Sequence, residues 1–445
     1  MLASFGVLLI AGLCTVWRPA AGLAIAVNGY LLRSATARPT AEAVFDSAAT
    51  APADTIVGVG LPILVLGITA ILSRRRLHYL RIHPLDLLLI GLGGDLLFGA
   101  LLAPDLHRGL EITARYFCLG LSFYLSGRLS LCGPPEYARR NIEAFLLVTW
   151  LLAMGLGLVA LLFRPAVETG RLTLGSAHPI PFSVSIGSAL IVSVYWLIQE
   201  AMGRRRPPRL GALGLSTGLI AFVFLASNTR GTVLAFVGTL VFASVGWFGR
   251  QPTLSTIRAM VGTLLVGALL VAIPAAAKPE FIGRLVTNMS LITSRSHGQS
   301  IADRMEGQST AVELFEHNAV LGVGTGAFAS YSPLPYPHNL TLEVAAENGL
   351  IGVSILLLLV VSLVLHGRAA VNGQMRSLDL LLLLLVVFHF IEAQFSFTLW
   401  MQKALFATMS LLDLNRPRTA ALEIFAPSDD ALTQHQHPSQ GLEGR

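Results

Sequence analysis

The sequence predicts an all-α, polytopic membrane protein of about twelve transmembrane helices, thirteen if the N-terminal apolar stretch folds as two, with one long periplasmic loop bearing short helices. Three observations predict it. Apolar residues fill 54% of the 445 positions and charged residues only 13%, far from the balance of a water-soluble domain. Apolar runs of about 18 residues or more recur along the chain, the length that a hydrocarbon layer of roughly 30 Å requires of a helix. Arginine collects in alternate connections, as expected when short basic loops stay on the cytoplasmic side.

Residues 1–33 are apolar but broken by Arg18 and Pro19, so one tilted span and two short ones both fit. They read as an uncleaved signal-anchor, because no small-residue cleavage site leads into a soluble domain. A loop rich in Ala, Thr, Ser and Pro runs from Ser34 to Asp54. Spans follow near 55–72, 84–103, 110–131, 142–163, 183–201, 210–226, 230–248, 259–277, 346–366, 378–394 and 402–414. The cytoplasmic connections carry Arg74, Arg75, Arg76 and Arg81, then Arg139 and Arg140, then Arg204, Arg205, Arg206 and Arg209, then Arg250 and Arg258, then Arg368 and Arg376. The other side receives the loops around Asp105, 164–181 and 227–231, and the long loop of about 278–345. Residues 1–418 thus form the membrane domain, and 419–445, polar and too short to bury a core, a disordered cytoplasmic tail. Cys14, Cys118 and Cys132 show neither metal spacing nor a disulfide framework. The net charge of +6 needs no nucleic-acid partner, since the excess arginine sits where membrane orientation places it.

The stretch Gly322–Gly352, GVGTGAFASYSPLPYPHNLTLEVAAENGLIG, is a polar loop punctuated by glycine and proline between apolar segments. Pro333, Pro335 and Pro337 exclude a helix interior and present His338 and Asn339 just before a helical pattern that carries Glu343 and Glu347 one turn apart. Imidazole is the side chain suited to proton transfer near neutral pH, although a loop histidine is also common as a structural residue. The Gly322, Gly324, Gly326 series fits a phosphate cradle or a simple turn. Arg230 closes the short junction Ser227–Gly231, where it either anchors a helix end or binds an anion. Ser300 and Asp303 fit a capping box for an amphipathic helix reaching His317, with Ile301, Met305, Val312 and Phe315 at helical spacing. Arg304, in its first turn, either pairs locally with Asp303 or Glu306 or awaits an anion. Glu111 and Arg115 are spaced to pair along a helix. Asp95, His389 and Glu392 read as structural polar groups, and are also what a proton-coupled transporter carries within its spans.

These motifs resemble the O-antigen ligase and O-antigen polymerase superfamily of bacterial membrane glycosyltransferases, with the ligase branch favoured. SNTRG at 227–231 is similar to the family's Ser and Arg-Gly junction. Arg304 followed by ELFEHNAVLGVGTGAF resembles its loop helix and Gly-x-Gly turn. HNLTLEVAAENGLIG resembles its His-Asn, Leu-Glu, Glu-x-Gly signature. The resemblance covers about residues 215–370. It departs after Arg304, where Met305, Glu306, Gly307 and Gln308 stand in place of a nearby aromatic residue. The resemblance implies transfer of a glycan from undecaprenyl diphosphate to a sugar hydroxyl of a lipid-linked acceptor, the lipid A core oligosaccharide, at the periplasmic face of the bacterial inner membrane. It implies His338 as the catalytic base and Arg230 and Arg304 as ligands of the donor diphosphate. Glu343, Glu347 and Asn339 stand as possible supports, and Arg284 and Arg295 as substitutes for the loop arginine. No metal or other cofactor is called for, and one displacement inverts the anomeric carbon. A polymerase of the same superfamily, a protein O-oligosaccharyltransferase, and a transporter or flippase of a lipid-linked glycan are the alternatives.

Overall fold

The computed structural model describes residues 2–36, 56–163, 172–174, 177–202, 207–227, 229–248, 299–371 and 377–412, all within one compact unit, Met1–Leu412. The span expected near 259–277, residues 278–298 of the long loop with Arg284 and Arg295, and the tail from 419 lie outside the described residues. The described chain is helical, with no strand. Six of its helices are long and apolar enough to cross a membrane: Val57–Tyr79, Pro84–Leu102, Pro135–Leu162, Pro179–Glu200, Arg209–Ala226 and Leu340–Leu365. Twelve spans therefore stands as the expectation from sequence, not as a count from the fold.

The N-terminal stretch divides into α1 (Leu2–Trp17), α2 (Pro19–Val27) and α3 (Gly29–Thr36). Arg18 is extended and Pro19 starts α2. The chain reverses there, because a Cβ on Gly22 would lie 2.9 Å from the Thr15 Cα, a contact that one straight helix cannot make seven residues apart. Two packed helices, rather than one tilted helix, form this segment.

Helix α4 (Leu61–Ser73) precedes α5 (Pro84–Leu102), whose start is fixed by a capping box. The Leu85 N–H donates to His83 Nδ1 and the His83 N–H donates to Asp86 Oδ2, while Pro84 takes the first-turn position that needs no donor. The span expected over 110–131 is built from α6 (Leu106–Arg115), a π-helical turn over Tyr116–Leu121, and α7 (Ser122–Ser130). Helices α8 (Pro135–Leu162), α9 (Pro179–Met202), α10 (Pro207–Ala226) and α11 (Arg230–Phe248) follow in up-and-down order. Helix α9 is central: 72% of its membrane window is buried, against 33–39% for the other five. Phe182, Ile186, Ala189 and Leu190 on α9 meet Leu156 and Ala160 of α8 and Ile220, Val223 and Phe224 of α10 in one apolar core.

The outer helices expose the large side chains a soluble protein hides. Leu87, Ile90, Leu97 and Leu101 on α5 and Leu147, Leu151, Leu158 and Leu162 on α8 are exposed, a surface that only lipid can cover without cost.

After the undescribed segment come α12 (Gln299–His317), the single turn α13 (Phe328–Tyr331), α14 (Leu340–Val371), α15 (Ser377–Glu392) and α16 (Lys403–Leu411). Two details of the expectation for α12 are corrected. The helix already includes Gln299, so Ser300 lies in its first turn rather than at a cap. Its packed face is Gly307, Ala311 and Leu314, against Phe328, Leu334 and Ala346, whereas Met305 and Val312 point away from the bundle. Small residues let α12 approach closely, while Met305 and Val312 stay outside.

Candidate active site

Chain order assigns the connections to two ends of the bundle. The 74–83 and 131–134 connections meet at one end, where Ser73 Oγ donates to the Leu129 carbonyl and Arg128 pairs with Asp86. The 103–105 and 227–229 connections, α12, the 318–339 loop and the 393–402 turn gather at the other. The candidate residues are at this second end.

His338 follows Pro337 and opens α14. Its φ of +56° lies in the left-handed region, one of two such non-glycine positions among the described residues. The strain, about 1–2 kcal/mol, is held by its neighbours. Asn339 caps the helix, its Oδ1 accepting from the Leu342 N–H at 3.0 Å, and the Leu340 N–H donates to the Ala393 carbonyl at 3.1 Å. The His338 ring stacks tilted on Tyr336, centroids 4.5 Å apart, and its Nδ1 is buried without a hydrogen-bond partner in the structure. Burial first, then the Arg304 guanidinium and His178, lower its pKa to about 4. The Tyr336 hydroxyl is pushed up to about 12, chiefly by burial.

Arg304 reaches across from α12. Its Nη1 donates to the Phe395 carbonyl at 3.1 Å. Burial lowers its pKa; Tyr336 and Glu392 act in the opposite sense, and Arg230 lowers it further. Arg230, at the first position of α11, is therefore close enough to be felt by Arg304, which in turn is felt by His338. Three residues from three separate motifs lie within electrostatic reach at one end of the bundle. Arg230 also stands at a helix N-terminus, the end of the dipole that favours an anion.

The possible supports divide. Glu347 accepts from the Gly326 N–H at 2.8 Å and the Phe328 N–H at 3.2 Å, so it holds the glycine turn. Glu343 accepts from the Thr398 hydroxyl. Asn339 serves as the helix cap. Neither glutamate makes a hydrogen bond to His338 in the structure, so orientation of the imidazole by either is not what their contacts show.

The glycine series is a turn. Gly349 breaks α14 with φ +61° and ψ −153°, and the loop takes up backbone groups freed by the break. The Val323 and Gly324 N–H groups donate to the Ala346 and Glu347 carbonyls, and the Leu350 N–H donates to the Ala319 carbonyl. A Cβ on Gly322 would lie 2.3 Å from the Glu347 backbone, and one on Gly324 2.6 Å from that of Ala103. The Gly-x-Gly and Glu-Asn-Gly motifs thus interlock with each other, and the donors a phosphate cradle would need are already engaged.

Other polar groups find local partners. Glu111 pairs with Arg115, whose guanidinium also lies 4.9 Å from the Trp400 ring centroid. His389 Nε2 is 3.3 Å from Ser188 Oγ of α9. Asp95 and Asn348 lie against Gly352, just past the Gly349 break, and Asn348 Nδ2 donates to Thr325 Oγ1 at 3.3 Å. Sequence reasoning did not single out His178, Tyr336 or Phe395. His178 had a readable signal, a polar residue before Pro179 at a helix start, and its Nδ1 does accept from the Ile180 N–H at 3.3 Å. Phe395 contributes a backbone carbonyl, which no side-chain pattern announces.

A lipid-facing helical bundle with a histidine and two arginines at one end defines a multi-pass membrane protein. Residues 215–357, about a third of the chain, match the family model described as O-Antigen ligase, and this segment is similar to the O-antigen ligase superfamily. The family implies a membrane glycosyltransferase of the ligase or polymerase type acting on lipid-linked sugars. No curated protein matches the chain significantly. Arg230, Arg304, His338, Asn339, Glu343 and Glu347 fall inside the matched segment.

Proposed function

We propose that the protein is a ligase that transfers a glycan from undecaprenyl diphosphate to a sugar hydroxyl of lipid A core oligosaccharide, at the periplasmic face of the bacterial inner membrane, with inversion and without a metal. The observation that carries the reading is the electrostatic chain Arg230, Arg304, His338, assembled from three distant stretches at one end of the bundle.

In this reading the two guanidiniums hold the donor diphosphate, as planar, permanently charged forks suited to phosphate oxygens. The acceptor oxygen bonds to the anomeric carbon, the bond from that carbon to the phosphate oxygen breaks, and its electron pair leaves with undecaprenyl diphosphate. His338 takes the acceptor proton, then yields it to water or to the departing diphosphate. A pKa near 4 keeps the ring neutral and able to accept at pH 7. It also makes the empty site a weak base. A diphosphate seated on Arg304 offsets the charge that depresses His338, so donor binding strengthens the base when it is needed. The arginines at 74–76 and 81, which join helices at the other end, support placing the site end outside.

Purified protein in nanodiscs, given lipid-linked donor and core acceptor, is expected to form product and release undecaprenyl diphosphate. His338→Ala is expected to slow single-turnover transfer by about 10²–10⁴-fold with donor affinity little changed. Transbilayer movement of the donor without release would identify a flippase and sink the reading. Labelling of Ser330→Cys in a cysteine-free background only after the inner membrane is permeabilised would overturn the orientation.

A further inference from the structure

We propose that Tyr336 is a positioning residue for His338: its ring, carried on a stiff lead packed against α12, fixes the plane of the imidazole and covers it from solvent. The inference rests on the reading of His338 as the base.

An imidazole turns easily about χ2, and a catalytic histidine is ordinarily oriented by a group that hydrogen-bonds the nitrogen facing away from the substrate. His338 has no such group. Its Nδ1 is buried and meets no protein hydrogen-bond partner, while Glu343 accepts from Thr398 and Glu347 from the glycine turn. A buried Nδ1 leaves Nε2 as the nitrogen for the acceptor hydroxyl. Among the described residues the ring stacks on Tyr336, with centroids 4.5 Å apart and planes inclined at 58°. This aromatic contact supplies the restraint that a hydrogen bond supplies elsewhere.

Tyr336 is itself well placed to restrain a neighbour. It stands between Pro335 and Pro337. Each proline fixes its own φ, and Pro337 biases Tyr336 toward extended backbone, so the lead has little freedom. The lead lies against α12 at Gly307, where a Cβ would be 2.8 Å from Leu334 Cδ1 and 3.6 Å from the Pro337 Cα. Arg304 is three residues before Gly307, on the same side of that helix. Beyond His338, Asn339 caps α14 and the Leu340 N–H donates to the Ala393 carbonyl. The backbone of His338, at φ +56°, is thus held from both sides, and the stack holds its side chain. The charged groups acting on the imidazole are Arg304 of α12 and His178 ahead of α9, both opposing protonation, and burial opposes it more strongly than either. Glu343 and Arg304 act on Tyr336.

The test measures donor affinity, single-turnover rate and its pH profile in nanodiscs for Tyr336→Phe, Tyr336→Leu, Tyr336→Ala, His338→Ala and the Tyr336→Ala, His338→Ala double variant, each checked for thermal stability. Tyr336→Ala is expected to slow transfer about tenfold or more, as misplacement of a reacting group does, with donor affinity unchanged. Its acid limb should move to higher pH, toward about 6.5, because an uncovered imidazole is protonated more easily. Tyr336→Phe, which keeps the ring, is expected to recover most of the rate, and Tyr336→Ala to add nothing once His338 is alanine. A normal His338→Ala variant would remove the reading of His338 as the base. An impaired His338→Ala beside a normal Tyr336→Ala, an unmoved acid limb, or a Phe variant as slow as the Ala variant would overturn the positioning role alone. If Tyr336→Ala does not accumulate, Tyr336→Leu decides: a low rate at normal stability and donor affinity supports the role of the ring, and a near-normal rate overturns it.

Discussion

Arg128 and Arg304 stand at opposite ends of the same bundle, each more buried than exposed, and their surroundings treat them differently. Arg128 is fully engaged: Nε and Nη2 donate to the two oxygens of Asp86 at 2.9 and 3.1 Å, and Nη2 also donates to the Arg81 carbonyl at 2.6 Å. The same carboxylate accepts from the Tyr124 hydroxyl at 2.6 Å and the His83 N–H at 2.7 Å. Every strong group has a partner of opposite character, and the cluster is complete without a ligand. Arg304 donates to one backbone carbonyl and feels the Arg230 guanidinium near by. A buried guanidinium held by one backbone carbonyl keeps donor capacity that an anion could use. On the proposed reading, the difference separates an arginine that holds helices together from one that binds the donor.

The sharpest way to break that comparison is to truncate both. Arg304→Ala is expected to lower transfer by about 10²–10³-fold, the usual cost of losing one preorganised donor to developing charge, while thermal stability holds. Donor affinity should fall with it, because the guanidinium acts in the ground state as well. Asp86→Ala should do the reverse: about 3 kcal/mol of stability is lost because the Arg128 charge is left buried without its partner, read as a lower melting temperature in nanodiscs. Equal phenotypes at the two ends would erase the distinction.

A subtler test uses pH. His338 accepts a proton only when neutral, and its pKa near 4 means that kcat/KM should hold well below the pH of about 6.5 at which an ordinary histidine becomes charged. Activity is retained above the pKa and lost as pH falls through it. Removing Arg304 removes a positive charge that opposes protonation, so the acid limb of Arg304→Ala should move to higher pH. An unmoved limb would uncouple the two residues. The smallest expected effect is that of EDTA: transfer should persist, since two fixed guanidinium charges hold the diphosphate, and loss restored by magnesium would contradict this.

The arrangement of the helices was largely legible because the membrane imposes it. The apolar runs near 84–103, 210–226 and 230–248 became Pro84–Leu102, Pro207–Ala226 and Arg230–Phe248, since length and hydropathy are requirements of the solvent rather than of packing. What the runs could not convey is where a helix breaks. Arg18–Pro19 turns the N-terminal stretch into a hairpin and Gly349 interrupts α14, and each break is tolerated only because another segment lies against it. The packed face of α12 was misread for the same reason, as periodicity marks apolar residues but not which of them a neighbour covers.

Within the site, the chemistry-bearing side chains Arg230, Arg304 and His338 were visible as residue types that are expensive near a membrane and stand in family motifs. Their meeting was not visible, because the intervals between them carry no information about distance. The roles of Glu347 and Asn339 also waited on the fold, since a carboxylate clamping the glycine turn and an amide capping a helix look in sequence like any polar neighbours of a histidine. Sequence by itself determined the solvent, the spans and the candidate charges, because these follow from composition and local pattern. Only the tertiary structure decided that the turn after α15 lies against Arg304 and the start of α11, because a backbone carbonyl at Phe395 and a missing Cβ at Gly231 act through proximity alone.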